Sequence, residues 1–544
     1  MPVVTLEMTR FCRLVGAKKD RILDRLPYIG LDIESQSGDS VRVEYSPNRP
    51  DFGTDYGIAR ALRGAMGIET GLPRYDAVPS GMSVRVDRGV SSVRPFIACA
   101  AVTGLRLDDE NVKQVISLQE DLHNGLGRRR RKVAIGLHDL KALAPPIDYR
   151  AVLPSFKMVP LGEKREMALD EVLTKTDTGR AFAYCLTGAD EYPMLLDSKQ
   201  LPFSFPPIIN SEATRVTQAT RSLFVEVTST DMKAGDDVMA VLATTLAEMG
   251  GKIGSVRVSY GKKTRVTPGL QVSKMRLDPG LVRRVTGLDL SPKGMIECLR
   301  RSRLDAKGRS VLVPRYRLDI LHPVDIAEEV ALGYGFDRIG RDYPPSKRPG
   351  SFNPFNQFLE RASDIMASSG MVELMTYELT DSKSLYSNFG RSTDDSVAVE
   401  GPKSAEHSLL RDSVIPTLLA ALSSNVKEEY PQRVFEIGRV YRRTTTGVEE
   451  SWQLGCLVAH SQASFTEAKM YVEAFARAML GKGASTDPEP HWTFAQGRSA
   501  SVALNGVRIG FVGEVPPMAL SAFGLNEPTC GFEVDLSLMG KQLK

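Results

Sequence analysis

The sequence has no CxxC pair, no apolar run approaching the roughly 18 residues a membrane-spanning helix needs, and no marked excess of either charge. Each absence excludes something. The six cysteines, Cys12, Cys99, Cys185, Cys298, Cys456 and Cys530, are scattered, which argues against a zinc site or a disulfide framework and predicts reduced, mostly buried thiols. The opening stretch MPVVTLEMTRFCRLVG shows no basic region followed by an apolar one, so no secretory signal is read and a cytoplasmic chain without a membrane segment is expected. The 70 Lys and Arg against 66 Asp and Glu leave a net charge of +4, too small for a dedicated nucleic-acid coat protein. Contact with nucleic acid then depends on local patches. The clearest is GRRRRK at 127–132, which is either a phosphate-neutralising cluster or a solvated turn between strands. No internal repeat or low-complexity segment is present.

At 544 residues, with 42% hydrophobic and 25% charged side chains, the chain exceeds what one core organises and predicts an α+β multidomain protein. Four regions are expected. Residues 1–80 form a small mixed domain, in which SPNRPDFGTD turns into the helix DYGIARALRGAMG with Thr54 or Asp55 as cap. Residues 81–264 alternate apolar and polar positions over many short runs and predict a large sheet with helices. Its loop PPIINSEATR is rich in small polar groups. Residues 265–345 read as strand, helix, helix, strand, helix. Residues 346–544 follow the proline-rich connector YPPSKRPGSFNP at 343–354. There an amphipathic helix over 355–371 precedes four strand-like runs, RVFEIGRVYRR, WQLGCLVAH, VRIGFVGEV and CGFEVDL, which predict an antiparallel sheet.

The third region ends in VDIAEEVALGYGF. Asp325, Glu328 at i+3 and Glu329 at i+4 share one helix face. One reading is a capping box, with Asp325 accepting an amide and Glu328 reaching back. That leaves Glu329 unexplained, together with Asp319 at the end of the expected preceding strand. Converging carboxylates repel unless a proton or cation intervenes, and an all-oxygen donor set favours Mg2+ over Zn2+. The two readings are compatible.

With those residues in view, VPRYRLDILHPVDIAEEVALGYGFDRI resembles the B5 domain of phenylalanyl-tRNA synthetase β subunits. The resemblance runs over nearly the whole chain. EYSPNRPDFGTDYGIARALRG is similar to the family's B1 module, and VAIGLHDL, PPIINSEATR and LFVEVTSTD are similar to its B3/B4 region of the archaeal and eukaryotic type. GPKSAEHSLLRDSVIPTLL with RVFEIGRVY is similar to its class II synthetase-like B6/B7 region. The resemblance implies Mg2+ at Asp319, Asp325, Glu328 and Glu329, shared with an α subunit in an α2β2 heterotetramer that binds tRNA(Phe) and uses ATP. Arg433 and Glu436 resemble motif 2 of class II synthetases, or are an interior strand pair on a retained scaffold. CGFEVDLSLMGKQLK carries no arginine for motif 3, so adenylation is expected on the α subunit, with the 355–371 helix buried at an interface.

An apolar pocket rejects an added hydroxyl by only roughly a hundredfold, so tyrosine passes as phenylalanine unless a second site removes it. The B3/B4 resemblance implies such a hydrolytic site for tyrosyl-tRNA(Phe). Asn210, Ser211, Glu226, Thr228 and His138 are its candidates. Glu226 and Thr228 alternate on one strand and face the same side. Glu226 is expected to accept a hydrogen bond from the tyrosine hydroxyl, and Ser211 and Thr228 to place substrate or water. The bland alternatives are turn and strand chemistry for the hydroxyls and a structural role for His138. No Ser-His-Asp spacing is visible, so direct attack by water is the expected chemistry. Two other functions stay open: a scaffold with a dead pocket, and a free-standing hydrolase.

Overall fold

In the computed structural model, which describes residues 1–340, 349–393 and 395–541, the chain divides into two compact units, Met1–Tyr343 and Pro344–Lys544. Residues 343–348 of the proline-rich connector lie outside the described residues.

The first unit begins with three antiparallel strands, Val3–Glu7, Ser40–Tyr45 and Leu31–Ser37, with Ser40–Tyr45 in the middle. Period-two alternation in SVRVEY buries Val41, Val43 and Tyr45. Thr54, not Asp55, caps helix Asp55–Ala65, its hydroxyl accepting from the Gly57 amide at 3.3 Å.

A ten-stranded mixed sheet follows. Along its path stand Ile209–Asn210, Pro202–Phe205, Tyr192–Leu196, Ile147–Val152, Val78–Val86, Lys252–Tyr260, Phe96–Thr103, Ser222–Ser229 and Val133–Asp139, with Lys263–Thr267 paired to Lys252–Tyr260. Strand Ser222–Ser229 sorts its side chains by face. Leu223, Val225 and Val227 pack under helices Asp109–Asn124 and Met232–Glu248, whereas Phe224 meets Tyr149 and Phe203 on the other side. Phe203 comes from near the far end of the path, with ring centroids 6.1 Å from Phe224. The sheet therefore curls until its ends approach, and Asn210 Nδ2 donates to the Leu137 carbonyl at 3.2 Å. Curling builds the cavity described below.

The unit closes with strands Ser273–Arg276, Ser310–Val313 and Asp305–Lys307 and helices Pro279–Thr286, Pro292–Arg301 and Pro323–Tyr334 around Leu277, Val282, Leu299, Ile326 and Val330. Here the structure corrects the sequence reading. The strand expected through SVLVPRYR stops at Val313, because Pro314 has no amide for the ladder. Asp319 sits in the turn beyond it.

In the second unit a seven-stranded sheet runs Val372–Glu373, Gln432–Thr444, Gly447–Ala459, Thr529–Asp535, Val507–Glu514, Ser499–Leu504 and Ser485–Pro488. All pairs are antiparallel except the first. Helix Pro354–Ser368 buries Phe358, Ala362 and Met366 in this unit's own core, alongside Phe475 and Phe532, and not at the subunit interface expected for its apolar stripe.

Candidate functional site

A cavity of about 620 Å³ opens between strand Val133–Asp139, helix Asp109–Asn124 and the segment 204–217. Its walls are largely apolar, with Leu107, Val115, Ile135, Pro206, Pro207 and Leu223 among them. Glu226 reaches it from strand Ser222–Ser229, opposite Gly136 on the neighbouring strand. That glycine is required for space. A Cβ at Gly136 would overlap a Glu226 carboxylate oxygen and stand 2.6 Å from His138 Nε2. Glu226 Oε1 accepts from Ser204 Oγ at 2.9 Å, while Oε2 is buried with no hydrogen-bond partner among the described residues. Burial pushes the Glu226 carboxyl up to about 7, against the opposing pull of Ser204 and Arg94. Near neutral pH this group exists in both forms, able to accept from a hydroxyl or donate to one.

Of the other sequence candidates, Asn210 and Ser211 line the cavity with Glu226. Ser211 Oγ donates to the Val159 carbonyl at 2.9 Å and accepts from the Ala213 amide at 3.3 Å, capping the turn Glu212–Thr214. His138 and Thr228 do not line it. His138 is buried, its Nδ1 2.9 Å from Thr214 Oγ1 and its ring edge-on to Phe203 at 4.8 Å. Burial pulls it down to about 3, so the imidazole is neutral. Thr228 is held by buried Arg94, which donates to its hydroxyl at 3.3 Å and to its carbonyl at 2.8 Å.

Sequence reasoning missed Ser204, Thr214 and Arg130 in the cavity wall. Arg130 lies inside GRRRRK, which turns between helix Asp109–Asn124 and strand Val133–Asp139 and not between two strands. Its Nη1 donates to the Ile208 carbonyl at 2.9 Å, its Nη2 to Glu120 at 3.1 Å, and it stacks 4.0 Å over Phe182.

The acidic cluster is arranged differently from its expectation. Pro323 opens the last helix, so His322 is the cap and Asp325 the third residue. Asp325 Oδ2 accepts from the amides of Leu321 and His322, each at 2.7 Å. The capping box exists, three residues earlier than read, and Glu328 is not part of it.

Asp319 and Glu329 share one cation. Arg317 donates through Nε and Nη2 to Asp319 at 2.9 and 2.6 Å, and through Nη2 to Glu329. Arg49 lies 3.9 Å from Asp319 and 2.9 Å from Asp51, which also accepts from Arg60 at 3.0 Å. Charges thus alternate along Arg60, Asp51, Arg49, Asp319, Arg317 and Glu329. Burial works to raise the Asp51 carboxyl, but Arg49, Arg60 and Arg317 together hold it down at about 2. Glu328 has no arginine within 4.0 Å among the described residues, and burial followed by Glu329, Asp325 and Asp319 pushes it up against the weaker pull of Arg317.

The donor set suits a hard cation, and the crowding at Glu328 is the repulsion such an ion relieves. The four acids expected to share Mg2+ with an α subunit do not converge on one point in this chain: among the described residues no three acidic, histidine or cysteine side chains gather to hold a metal. Two of the four acids are neutralised by arginine.

Comparison with known proteins agrees along the length of the chain. Residues 339–536 match the phenylalanyl-tRNA synthetase β chain CLM domain, and residues 275–336 match the tRNA synthetase B5 domain. The phenylalanine–tRNA ligase β subunit of Archaeoglobus fulgidus is 41% identical over 99% of this chain and 98% of its own. That of Methanosarcina acetivorans is 39% identical over 100% of both. The crystal structure of an N-terminal fragment of the phenylalanyl-tRNA synthetase β-subunit from Pyrococcus horikoshii is 36% identical, with a TM-score of 0.59 over 61% of this chain and 99% of the fragment.

The chain belongs to the phenylalanine–tRNA ligase β-subunit family. It is therefore a subunit of an aminoacyl-tRNA synthetase. Within its CLM domain, Glu436 accepts from Arg411 Nη2 at 2.7 Å and from Thr376 Oγ1 at 2.6 Å, while Arg433 Nε is buried without a hydrogen-bond partner among the described residues. Arg411 lies directly over Gly438, and a Cβ at Gly455 would meet Val414 at 3.0 Å. The chain's own segment 411–417 covers the sheet face that carries Glu436. The motif-like glutamate is engaged in holding that cover.

Proposed function

We propose that this chain, as the β subunit of phenylalanine–tRNA ligase, hydrolyses tyrosyl-tRNA(Phe) in the Glu226 cavity while the α subunit performs ATP-dependent activation and transfer. The observation that carries this reading is the buried, unpartnered Glu226 Oε2 in a largely apolar cavity. An apolar wall accepts an aromatic ring, and a buried carboxyl lacking a partner favours the ring that brings a hydroxyl. A site built to bond a hydroxyl discriminates against its absence by up to about 10⁴-fold, which a purely apolar pocket cannot do.

Ser211 is held by the Val159 carbonyl and serves to shape the loop, not to attack. Hydrolysis proceeds by addition of water to the ester carbonyl and departure of the terminal ribose oxygen with its proton. Asn210 and Thr214 are polar groups of the cavity wall assigned to orienting that water or the ester. His138 and Thr228 act behind the wall, His138 on Thr214 and Thr228 through Arg94.

In the assembled enzyme we assign the family's module names to the sequence regions: B1 to 1–80, B3/B4 to 81–264, B5 to 265–345 and the non-catalytic B6/B7 region to 346–544. Mg2+, supplying positive charge at the α interface of an α2β2 heterotetramer, would be held by Glu328 and Asp325 with Asp319 and Glu329. The remaining ligands would come from the α subunit. Six free cysteines suit a reducing cytoplasm.

The test is ligand discrimination by the α/β complex, using 3′-amide-linked tyrosyl- and phenylalanyl-adenosine as stable ester mimics. The tyrosyl mimic should bind at least about a hundredfold more tightly, and Glu226→Ala should erase the difference. Equal binding of the two mimics contradicts the reading. The scaffold alternative draws on the engaged hydroxyls of Ser211 and Thr228, and it predicts that neither mimic binds.

A further inference from the structure

We infer that the basic turn at 128–132 is a phosphate-binding track that receives the single-stranded 3′ end of tRNA and leads it to the Glu226 cavity. This rests on the hydrolytic reading of that cavity.

The backbone of the turn is unusual. Arg128, Arg129 and Arg130 have φ of 49°, 52° and 65°, three consecutive left-handed residues with side chains that disfavour that conformation. It persists because the fold grips it from inside. Tyr184 Oη donates to the Arg129 carbonyl at 2.6 Å, Arg94 Nη1 to the carbonyls of Arg130 and Arg131 at 3.1 and 3.3 Å, and the Thr230 amide to the Lys132 carbonyl at 3.0 Å. Every carbonyl from 129 to 132 is thus engaged. Arg94 is a buried cation beneath a run of cations, an arrangement that stores positive potential at the surface.

That potential is only partly neutralised. Arg130 pairs with Glu120 and Lys132 with Asp231, each at 3.1 Å. Arg128, Arg129 and Arg131 are exposed and, among the described residues, have no carboxylate within 4.0 Å. They border an open hollow of about 940 Å³ that also exposes the ring of Tyr184, with Arg131 4.8 Å from its centroid. Guanidinium groups without carboxylate partners, one of them already stacked on a partly exposed tyrosine ring, suit a single-stranded nucleic acid, which binds through its phosphates and by stacking of a base.

Position identifies which single strand. Arg130, inside the turn, is also a wall of the Glu226 cavity, and the segment 177–186 gives Thr178 to the cavity and Tyr184 to the hollow. The two spaces have no lining residue in common, but each takes lining from the basic turn and from 177–186. A strand lying on the turn has its end at the cavity, as an aminoacylated 3′ terminus requires. An acidic protein or an anionic membrane accounts for the charge but not for this adjacency.

The test compares the wild-type α/β complex with the Arg128→Gln, Arg129→Gln, Arg131→Gln triple variant and with the matching triple Lys variant. Hydrolysis of tyrosyl-tRNA(Phe) should fall at least about tenfold more than hydrolysis of a tyrosyl-adenosine ester, which has no further phosphates. The slope of log kcat/KM against log salt should flatten by about 2, the release expected from three single-strand phosphate contacts, and the Lys variant should retain most of it. Equal losses on the two esters with an unchanged salt slope would overturn the proposal. So would protection of the turn from trypsin by the α subunit without RNA. If the wild type cleaves neither ester, the hydrolytic reading fails separately, and a footprint of the tRNA 3′ strand decides the track. Protection lost in the Gln variant supports the track, and protection unchanged overturns it.

Discussion

The Glu226 cavity and the Arg317 network bury carboxylates to similar depth, with Glu226 1%, Asp51 2% and Glu329 5% exposed, yet leave them in opposite states. Asp51 has two arginines against it and is held at about 2, whereas Glu226 has one hydroxyl and a more distant Arg94 and rises to about 7. Burial alone does not tell a structural acid from a functional one. What distinguishes Glu226 is an oxygen without a partner among the described residues at the wall of a cavity, whereas the oxygens of Asp51 are held by fixed arginine donors.

Removing the cation from the arginine-held site should have the largest effect. Arg317→Ala leaves Asp319 and Glu329 buried without their common partner, and the chain should lose about 3–5 kcal/mol in denaturant unfolding. A loss under about 1 kcal/mol would mean that these acids are screened by something other than Arg317.

The pH response of the two sites should have opposite sign. Native Glu226 keeps a proton that the unfolded chain, near 4.5, gives up, so its contribution to stability declines as pH rises from there through about 7. Glu226→Gln removes that decline and should stabilise the chain at pH 8 by roughly 2–3 kcal/mol. The Asp51 contribution is complete above its ordinary 3.8 and is lost as pH falls through about 2. Thermal unfolding of both proteins from pH 4 to pH 8 checks the first, and a Gln variant that gains nothing at pH 8 would mean Glu226 is ionised in the native state.

Smaller effects sharpen the contrast. Glu328, with no arginine within 4.0 Å among the described residues, should matter most for Mg2+ in the α/β complex, with Glu328→Gln weakening retention by about tenfold or more in equilibrium dialysis. Unchanged retention would remove Glu328 from the ion. Ser211→Ala should cost about 1 kcal/mol of stability and reduce tyrosyl-ester hydrolysis less than about tenfold, because its hydroxyl already serves Val159. Abolished hydrolysis would make Ser211 a participant in the chemistry.

What could be read in advance follows from how local the controlling interaction is. The four strand-like runs of the C-terminal region are strands of its sheet, because period-two alternation is a property of consecutive residues. The stripe on helix Pro354–Ser368 announced a buried face but not which core would cover it. The cap at Asp325 was displaced by Pro323, whose fixed φ and missing amide start the helix before the first acid. Arg317 was in plain view between Tyr316 and Leu318. Its pairing with Glu329, twelve positions on, depends on the turn that Pro314 begins. Asn210, Ser211 and Glu226 do line one cavity, but Ser204 and Arg130 join them only because the sheet curls and the basic turn is left-handed. Neither property is written in periodicity.

The central claim is that Glu226 makes the cavity a site for a tyrosyl ester. Its most direct test is deacylation of tyrosyl-tRNA(Phe) by the α/β complex carrying Glu226→Ala, with phenylalanine activation followed in parallel. The account predicts that hydrolysis falls at least about a hundredfold while activation is unchanged. Tyrosyl-tRNA(Phe) cleaved at the wild-type rate would contradict it.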